Sequence, residues 1–106
     1  MRDNQQFGYS IQLAAPYNTS DIPTYSVSVR LVPQYKWENH RPTEEVIGFK
    51  AMFIRKGLDE PLIVKFSKEI ELPAFLSVVE LENLMACSVK GRLYFKADGL
   101  KVKGER

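Results

Sequence analysis

FIRKGLDEPLIVKF, residues 53–66, reads as a β-hairpin. Two apolar runs flank Gly57, Leu58, Asp59, Glu60 and Pro61, and glycine and proline are the strongest punctuators of regular structure. Three cations, Arg55, Lys56 and Lys65, are set among the apolar residues, with Phe53 and Phe66 beside them. The stretch is either a piece of core with solvated charges or one wall of a groove that holds a polyanion.

Upstream, VIGFKAMFIRK (46–56) continues the first strand of that hairpin, and Gly48 inside it marks a bulge or sharp bend. ENHRPTEE (38–45) is polar, contains Pro42 and reads as a loop. From Tyr25 to Leu31, apolar Tyr25, Val27, Val29 and Leu31 alternate with Ser26, Ser28 and Arg30, the period of a half-buried strand. Pro33 then confines QYKW to an edge or a bulged extension. Residues 1–24, with Pro16, Pro23 and the turn-prone YNTSDIP, read as an extended N-terminal arm before a domain spanning 25–106. Downstream, AFLSVVELENLMA fits an amphipathic helix from Pro73, with Ala74, Val78, Leu81 and Met85 on one face, and also fits a strand. The favoured division is a helical turn at 73–77 and a strand at 78–82. SVKGRLYFK and LKVK read as strands, with turns at Lys90–Gly91 and Asp98–Gly99. Five or six short strands with little helix describe a small barrel or sandwich.

A length of 106 residues suits one domain, and 44% apolar residues are enough for a core. Cys87 is the only cysteine, so no intramolecular disulfide is available. No run approaches the roughly 18 apolar residues of a membrane span, and MRDNQQFGYS lacks the pattern of a secretory signal. A soluble, cytoplasmic protein is expected. The net charge of +2 is too small to indicate a polyanion binder, but its distribution is uneven. Residues 25–56 carry six basic and three acidic groups, 57–83 two basic and six acidic, and 84–106 six basic and two acidic. Two basic segments around an acidic one can give a bipolar surface.

Catalytic and metal chemistry lack candidates. His40 is the only histidine, and neither it nor Cys87 stands at ligand spacing from carboxylates. No glycine-rich phosphate loop occurs, and Asp59–Glu60 and Glu44–Glu45 read as solvated loop charges. No cofactor and no enzymatic activity are expected. What remains is basic and aromatic residues interleaved on strands, the pattern by which proteins hold single strands with a cationic groove and stacked bases. The candidates are Arg30, Tyr35, Lys36, Trp37 and Arg41 around the first loop, and Lys50, Phe53, Arg55, Lys56 and Lys65 on the next two strands. Lys90, Arg92, Tyr94 and Lys96 follow near the C-terminus. Phe49 and Phe53 share a face with Ile47 and Ala51, so at least one belongs to the core. Arg92, Tyr94 and Lys96 share an exposed face if Leu93 and Phe95 are core. Trp37 is the least core-like aromatic.

From Arg41 onward the chain resembles the single-stranded-DNA-binding proteins of filamentous phages. That family has a Lys-Pro-aromatic loop, a strand, Gly-x-x-x-Pro leading into an aliphatic run ending Val-Lys-Ile, and then Pro-Ala-Tyr. The counterparts are Arg41-Pro42-Thr43, Gly57 to Pro61, Leu62-Ile63-Val64-Lys65-Phe66 and Pro73-Ala74-Phe75. The resemblance spans about residues 41–103. It implies groove roles for Lys65, Arg41 and Phe53; Thr43 replaces the family's aromatic, and charge near Lys90–Leu93 replaces its late-hairpin aromatic. The C-terminal half is also similar to small proteins of conjugative transposons, through Val79-Glu80-Leu81 with Asn83 and Tyr94-Phe95-Lys96-Ala97-Asp98. Members of that family are thought to assist replication of the mobile genetic element, one as a helicase processivity factor.

The expectation is therefore an all-β, five-stranded OB-fold-like barrel with at most one short helix. It would bind single-stranded DNA with little sequence preference, as a homodimer, in DNA replication or transfer of a mobile element. The alternative is a protein-interaction module that binds a helicase or relaxase without significant DNA contact.

Overall fold

The hairpin read at 53–66 forms, and it is the tight end of a larger sheet. The computed structural model describes residues 8–104. Eight strands, β1 (Thr24–Ser26), β2 (Val32–Glu38), β3 (Arg41–Arg55), β4 (Leu62–Phe66), β5 (Val78–Glu82), β6 (Met85–Val89), β7 (Arg92–Ala97) and β8 (Gly99–Gly104), join in one mixed sheet. Its order is β6-β7-β4-β3-β1-β5-β8, with β2 also paired to β3. The β3–β4 turn uses Gly57 at φ 97°, a left-handed conformation that glycine adopts without steric cost.

The protein is mostly β, as expected, but not a five-stranded barrel: the described residues form eight strands, and their hydrogen-bonded order is open. The count rises partly because one long bent hairpin is read as four strands. Residues 78–89 and 92–104 pair antiparallel along their length, as β5–β8 and β6–β7, around a turn at Lys90–Gly91 with φ 54° and 81°. Positive φ at both central residues gives the turn whose twist matches a two-residue hairpin. Midway the hairpin bends. Asn83 adopts φ 53°, its side-chain amide donates to Asp98 Oδ2 at 2.7 Å, and the Asp98 N–H donates to the Glu82 carbonyl at 2.9 Å. Past the bend the two halves serve opposite edges: β7 pairs β4 in parallel, and β5 pairs β1 antiparallel.

Residues 38–45 are not a loop. Asn39 and His40, at φ 52° and 65°, make a two-residue turn, and β3 starts at Arg41 against Glu38. Local chemistry permits this because asparagine tolerates positive φ and Pro42 lies in an exposed ribbon. The register slips between Gln34 and Tyr35, skipping Ile47 just beyond Gly48, where a bulge is expected. The strand read at 25–31 is shorter: β1 ends at Ser26, and the chain kinks through 27–31 before β2. Ser28 shares in that kink, its hydroxyl accepting from the Met52 N–H at 2.6 Å. The strand at 78–82 is present, but the turn at 73–77 is not helical: Leu76 adopts φ 70°, and a tight turn closes with Ser77 N–H donating to the Ala74 carbonyl at 3.0 Å.

From Ser10 on, the expected arm is part of the domain. Ser10 caps α1 (Ile11–Ala14), and its backbone exchanges hydrogen bonds of 2.8 and 3.0 Å with Ala86 on the free edge of β6. A 3₁₀ turn, Ala15–Tyr17, follows. Ala14 is fully buried, and Tyr17 meets Phe95 edge-on at 5.2 Å between ring centroids. Residues 1–7 of that arm lie outside the described residues.

Strand alternation builds the core. Ala51 and Phe53 of β3, Leu62, Val64 and Phe66 of β4, Val79 and Leu81 of β5, Ala86 of β6, and Phe95 and Ala97 of β7 all point inward. Phe53 and Phe66 meet edge-on at 6.3 Å. Phe53 is fully buried, so the sequence expectation that it stacks a base is overturned: its ring is spent on the core. Phe53→Ala should cost about 3–5 kcal/mol of stability through lost burial and a residual cavity. A denaturant titration reads this, and an unchanged midpoint would remove Phe53 from the core.

Candidate functional site

The residues that alternate with the core form the outer face of β3, β4 and β7. Lys50 is directly opposite Lys65 on the neighbouring strand, and Lys65 is opposite Lys96 on the next. With strands about 5 Å apart, three lysines stand in a row roughly 10 Å long across the sheet. Two residues along, about 7 Å away, runs a second row. Met52 pairs with Ile63, and one step back from the Val64–Phe95 pair Ile63 comes beside Tyr94. Tyr94 in turn pairs with Cys87 of β6. Met52, Ile63 and Tyr94 are all exposed. A cationic row thus flanks an apolar and aromatic row on one open face.

This face borders a groove of about 700 Å³ lined among others by Gln34, Lys50, Ile63, Lys65, Arg92 and Tyr94. Asp59 and Glu60, in the β3–β4 turn, line it too and set a negative rim at one end. Among the described residues, no carboxylate lies within ion-pairing distance of Lys50, Lys65, Arg92 or Lys96. Lys101 and Lys103, by contrast, face Glu82 and Glu80 at 4.0 and 3.6 Å on the far side of the sheet.

Gly48 lies beside the middle of the lysine row. A Cβ there would lie 3.0 Å from the Phe66 carbonyl oxygen, a tight approach, and 3.5 Å from Lys65 Cγ, an ordinary van der Waals contact. What requires the glycine is therefore the backbone of β4 and not the Lys65 stem.

The fourteen residues expected from the sequence divide into four groups. Lys50, Lys65, Arg92, Tyr94 and Lys96 come together on this face. Tyr35, Lys36, Trp37 and Arg41 sit on the β2–β3 ribbon, which is exposed over most of its length; Trp37 is 66% exposed. Lys36 lies 3.4 Å from Glu38 and 4.0 Å from Glu45, so its charge is partly met within the ribbon. Arg30, Lys56 and Lys90 are exposed, at the kink, at the β3–β4 turn and at the β6–β7 turn.

Phe53 and Arg55 are internal, and the expectation of a groove role for Arg55 is corrected like that for Phe53. Arg55 is 6% exposed. Its guanidinium donates to the carbonyls of Thr19 at 3.3 Å and Ile22 at 3.0 Å, and to the hydroxyls of Thr24 and Thr19 at 2.9 Å each. It ties the 18–24 segment to the end of β3. Burial pulls its pKa down and Asp21 opposes this, yet a guanidinium keeps its charge under such shifts. Asp21 is held below the usual carboxylate range, first by a hydrogen bond from Thr19 and then by its own backbone, with a smaller push from Arg55.

Sequence reasoning missed Tyr9. Its ring lies over Lys96, with the ammonium 4.7 Å from the centroid, and it lines the same groove. Its signal, an aromatic six residues before Ala15 in a polar lead-in, points nowhere until the Ser10–Ala86 bridge brings it to β6. Burial, and then the neighbouring Cys87 thiol, raise its hydroxyl pKa above the ordinary tyrosine value.

Among the described residues there is no group of three or more His, Cys, Asp or Glu side chains arranged to hold a metal ion, and no helix long and apolar enough to cross a membrane. No protein-family model, no curated protein and no solved structure matches the chain.

Arg55→Ala should lower stability by roughly 1–3 kcal/mol, because the guanidinium's hydrogen bonds to the buried Thr24 hydroxyl and to three part-buried acceptors go unmade. Thermal unfolding reads the loss; a variant as stable as the parent would show that the 18–24 segment does not depend on this anchor. Gly48→Ala should cost about 1–3 kcal/mol by overpacking, since the backbone oxygen at 3.0 Å yields less readily than the lysine stem. Its melting temperature checks this.

Proposed function

We propose that the protein binds single-stranded nucleic acid on the outer face of β3, β4 and β7, and that single-stranded DNA of a phage, plasmid or other mobile element is the natural ligand. One observation carries the binding reading: the row Lys50–Lys65–Lys96 beside the row Met52–Ile63–Tyr94. Three like charges directly opposite one another on adjacent strands are destabilising in the free protein, and a polyanion relieves that repulsion. A duplex offers phosphates but keeps its bases inside; an unpaired strand offers both phosphates and flat apolar faces, which suits two parallel rows of different chemistry. The choice of DNA and of a mobile element rests on the sequence resemblance alone. In this reading the lysines and Arg92 neutralise phosphates and release counterions, Tyr94 stacks on a base, and no covalent chemistry takes place.

A second reading has its own observation. Tyr35, Trp37, Val46 and Ile47 are exposed on the β2–β3 ribbon, and such side chains anchor protein partners. A protein-interaction module contacting a helicase or relaxase would use this ribbon. A homodimer would draw on the same surface.

Fluorescence anisotropy of labelled oligo-dT at two salt concentrations separates the readings. For single strands the logarithmic salt slope is about −0.7 per neutralised phosphate. Lys50, Lys65, Lys96 and Arg92 then give a slope near −3, and the triple variant Lys50→Ala/Lys65→Ala/Lys96→Ala should flatten it by about 2. No binding at low salt, or binding indifferent to salt, removes the proposal. Trp37→Ala should leave this binding nearly unchanged, while a helicase or relaxase pull-down that depends on Trp37 and not on the lysines would favour the interaction module.

A further inference from the structure

The aromatic row of the proposed groove continues past the edge of the sheet. Ser10 pairs with Ala86 across the free side of β6, which brings Tyr9 beside Cys87, and Cys87 pairs with Tyr94 on the other side. Tyr9 and Tyr94 therefore flank one small residue on the outer face, and both line the same groove. Lys96, the end of the lysine row, sits against the Tyr9 ring at 4.7 Å. A cation at this distance from a ring centroid is attracted to its π-face, and the contact fixes the ring's tilt. Tyr9 is half-buried rather than part of the core.

We infer that Tyr9 is a nucleobase-stacking residue, and that the Tyr9–Tyr94 pair, set by the N-terminal segment docking on β6, makes the groove select unpaired bases over other polyanions. The inference rests on the nucleic-acid reading above. Its physical basis is a division of labour. Lysines attract any polyanion in proportion to its charge and carry no preference for bases. Aromatic faces gain only when an unstacked base is present, and they do so whatever the base. A groove with Tyr94 alone has one such face at the end of its apolar row; Tyr9 adds a second, held in place by the cation that also attracts the backbone. The hydroxyl stays protonated at neutral pH, so no phenolate charge opposes phosphate.

The test compares two polyanions, labelled oligo-dT and inorganic polyphosphate, binding to the full chain and to Tyr9→Leu and Tyr9→Phe. Tyr9→Leu should weaken oligo-dT binding by about 5-fold or more, the size of a lost base stack. Binding of polyphosphate should be unchanged, and Tyr9→Phe should retain affinity for both. Equal losses for both polyanions would assign Tyr9 a structural role and overturn the inference, as would oligo-dT affinity unchanged in Tyr9→Leu. If the parent protein binds no oligo-dT, the proposed function itself falls, and the inference with it. Should Tyr9→Leu fail to fold, photocrosslinking of the parent protein to an iododeoxyuridine oligonucleotide decides: a crosslink at Tyr9 supports the inference, and crosslinks confined to other residues overturn it.

Discussion

The pairing of β7 with β4 is the constraint on which the rest depends. It is the parallel contact among the described strands, and it is made by the half of the bent hairpin of residues 78–104 that lies beyond the corner at Asn83 and Asp98. Side-chain direction alternates along a strand, so the register that sends Phe95 and Ala97 into the core sends Lys96 outward beside Lys65. A slip of one residue would bury Lys96 and expose Phe95, at the cost of both burial and charge. The same logic binds β3 to β4, where Ala51 and Phe53 inside require Lys50 and Met52 outside. The lysine row is therefore positioned by the hydrophobic core, without a polar network of its own.

Such positioning has an energetic consequence. Opposed lysines on neighbouring strands repel, and of the three only Lys96 is seen against a π-face, its ammonium 4.7 Å from the Tyr9 ring centroid. The cations of the far side are handled differently: Lys101 and Lys103 face Glu82 and Glu80. Sequences that specify a structure usually agree across levels, and the places where they do not are expected to be functional. The lysine row, which among the described residues has no carboxylate within ion-pairing distance, is such a place.

Much of this was legible in the chain before its structure. The period of two in Leu62–Phe66 and in Arg92–Ala97 identifies which residues face inward, because an alternating strand has only two phases. That is why Lys65, Arg92, Tyr94 and Lys96 were legible as outward-facing candidates, whereas 73–86, which fits a helix and a strand equally, was not decided by its pattern. The β2–β3 hairpin was not legible. Its polar, proline-containing run 38–45 resembles a loop because the ribbon has no buried face to impose alternation. The open eight-strand order was hidden for another reason: the bend at Asn83 and Asp98 combines a positive φ at Asn83 with hydrogen bonds from the Asn83 side chain to Asp98 and from the Asp98 N–H to Glu82, between residues about fifteen apart.

Arg55 and Lys65 show where pattern stops and tertiary context begins. Both are cations in the quoted hairpin, flanked by aromatic and aliphatic residues, and composition cannot tell them apart. Their phases differ: Arg55 falls on the inward face of β3 with Phe53, whereas Lys65 falls on the outward face of β4. Inward placement of a guanidinium is costly unless its donors are met. Here the 18–24 segment supplies two carbonyls and two hydroxyls. A lysine at 55 could not reproduce that fork, because its ammonium is a single point of charge. The inward cation thus holds the N-terminal region to the sheet. The same region carries Tyr9 to β6, so the buried cation and the exposed row act on one surface by different routes.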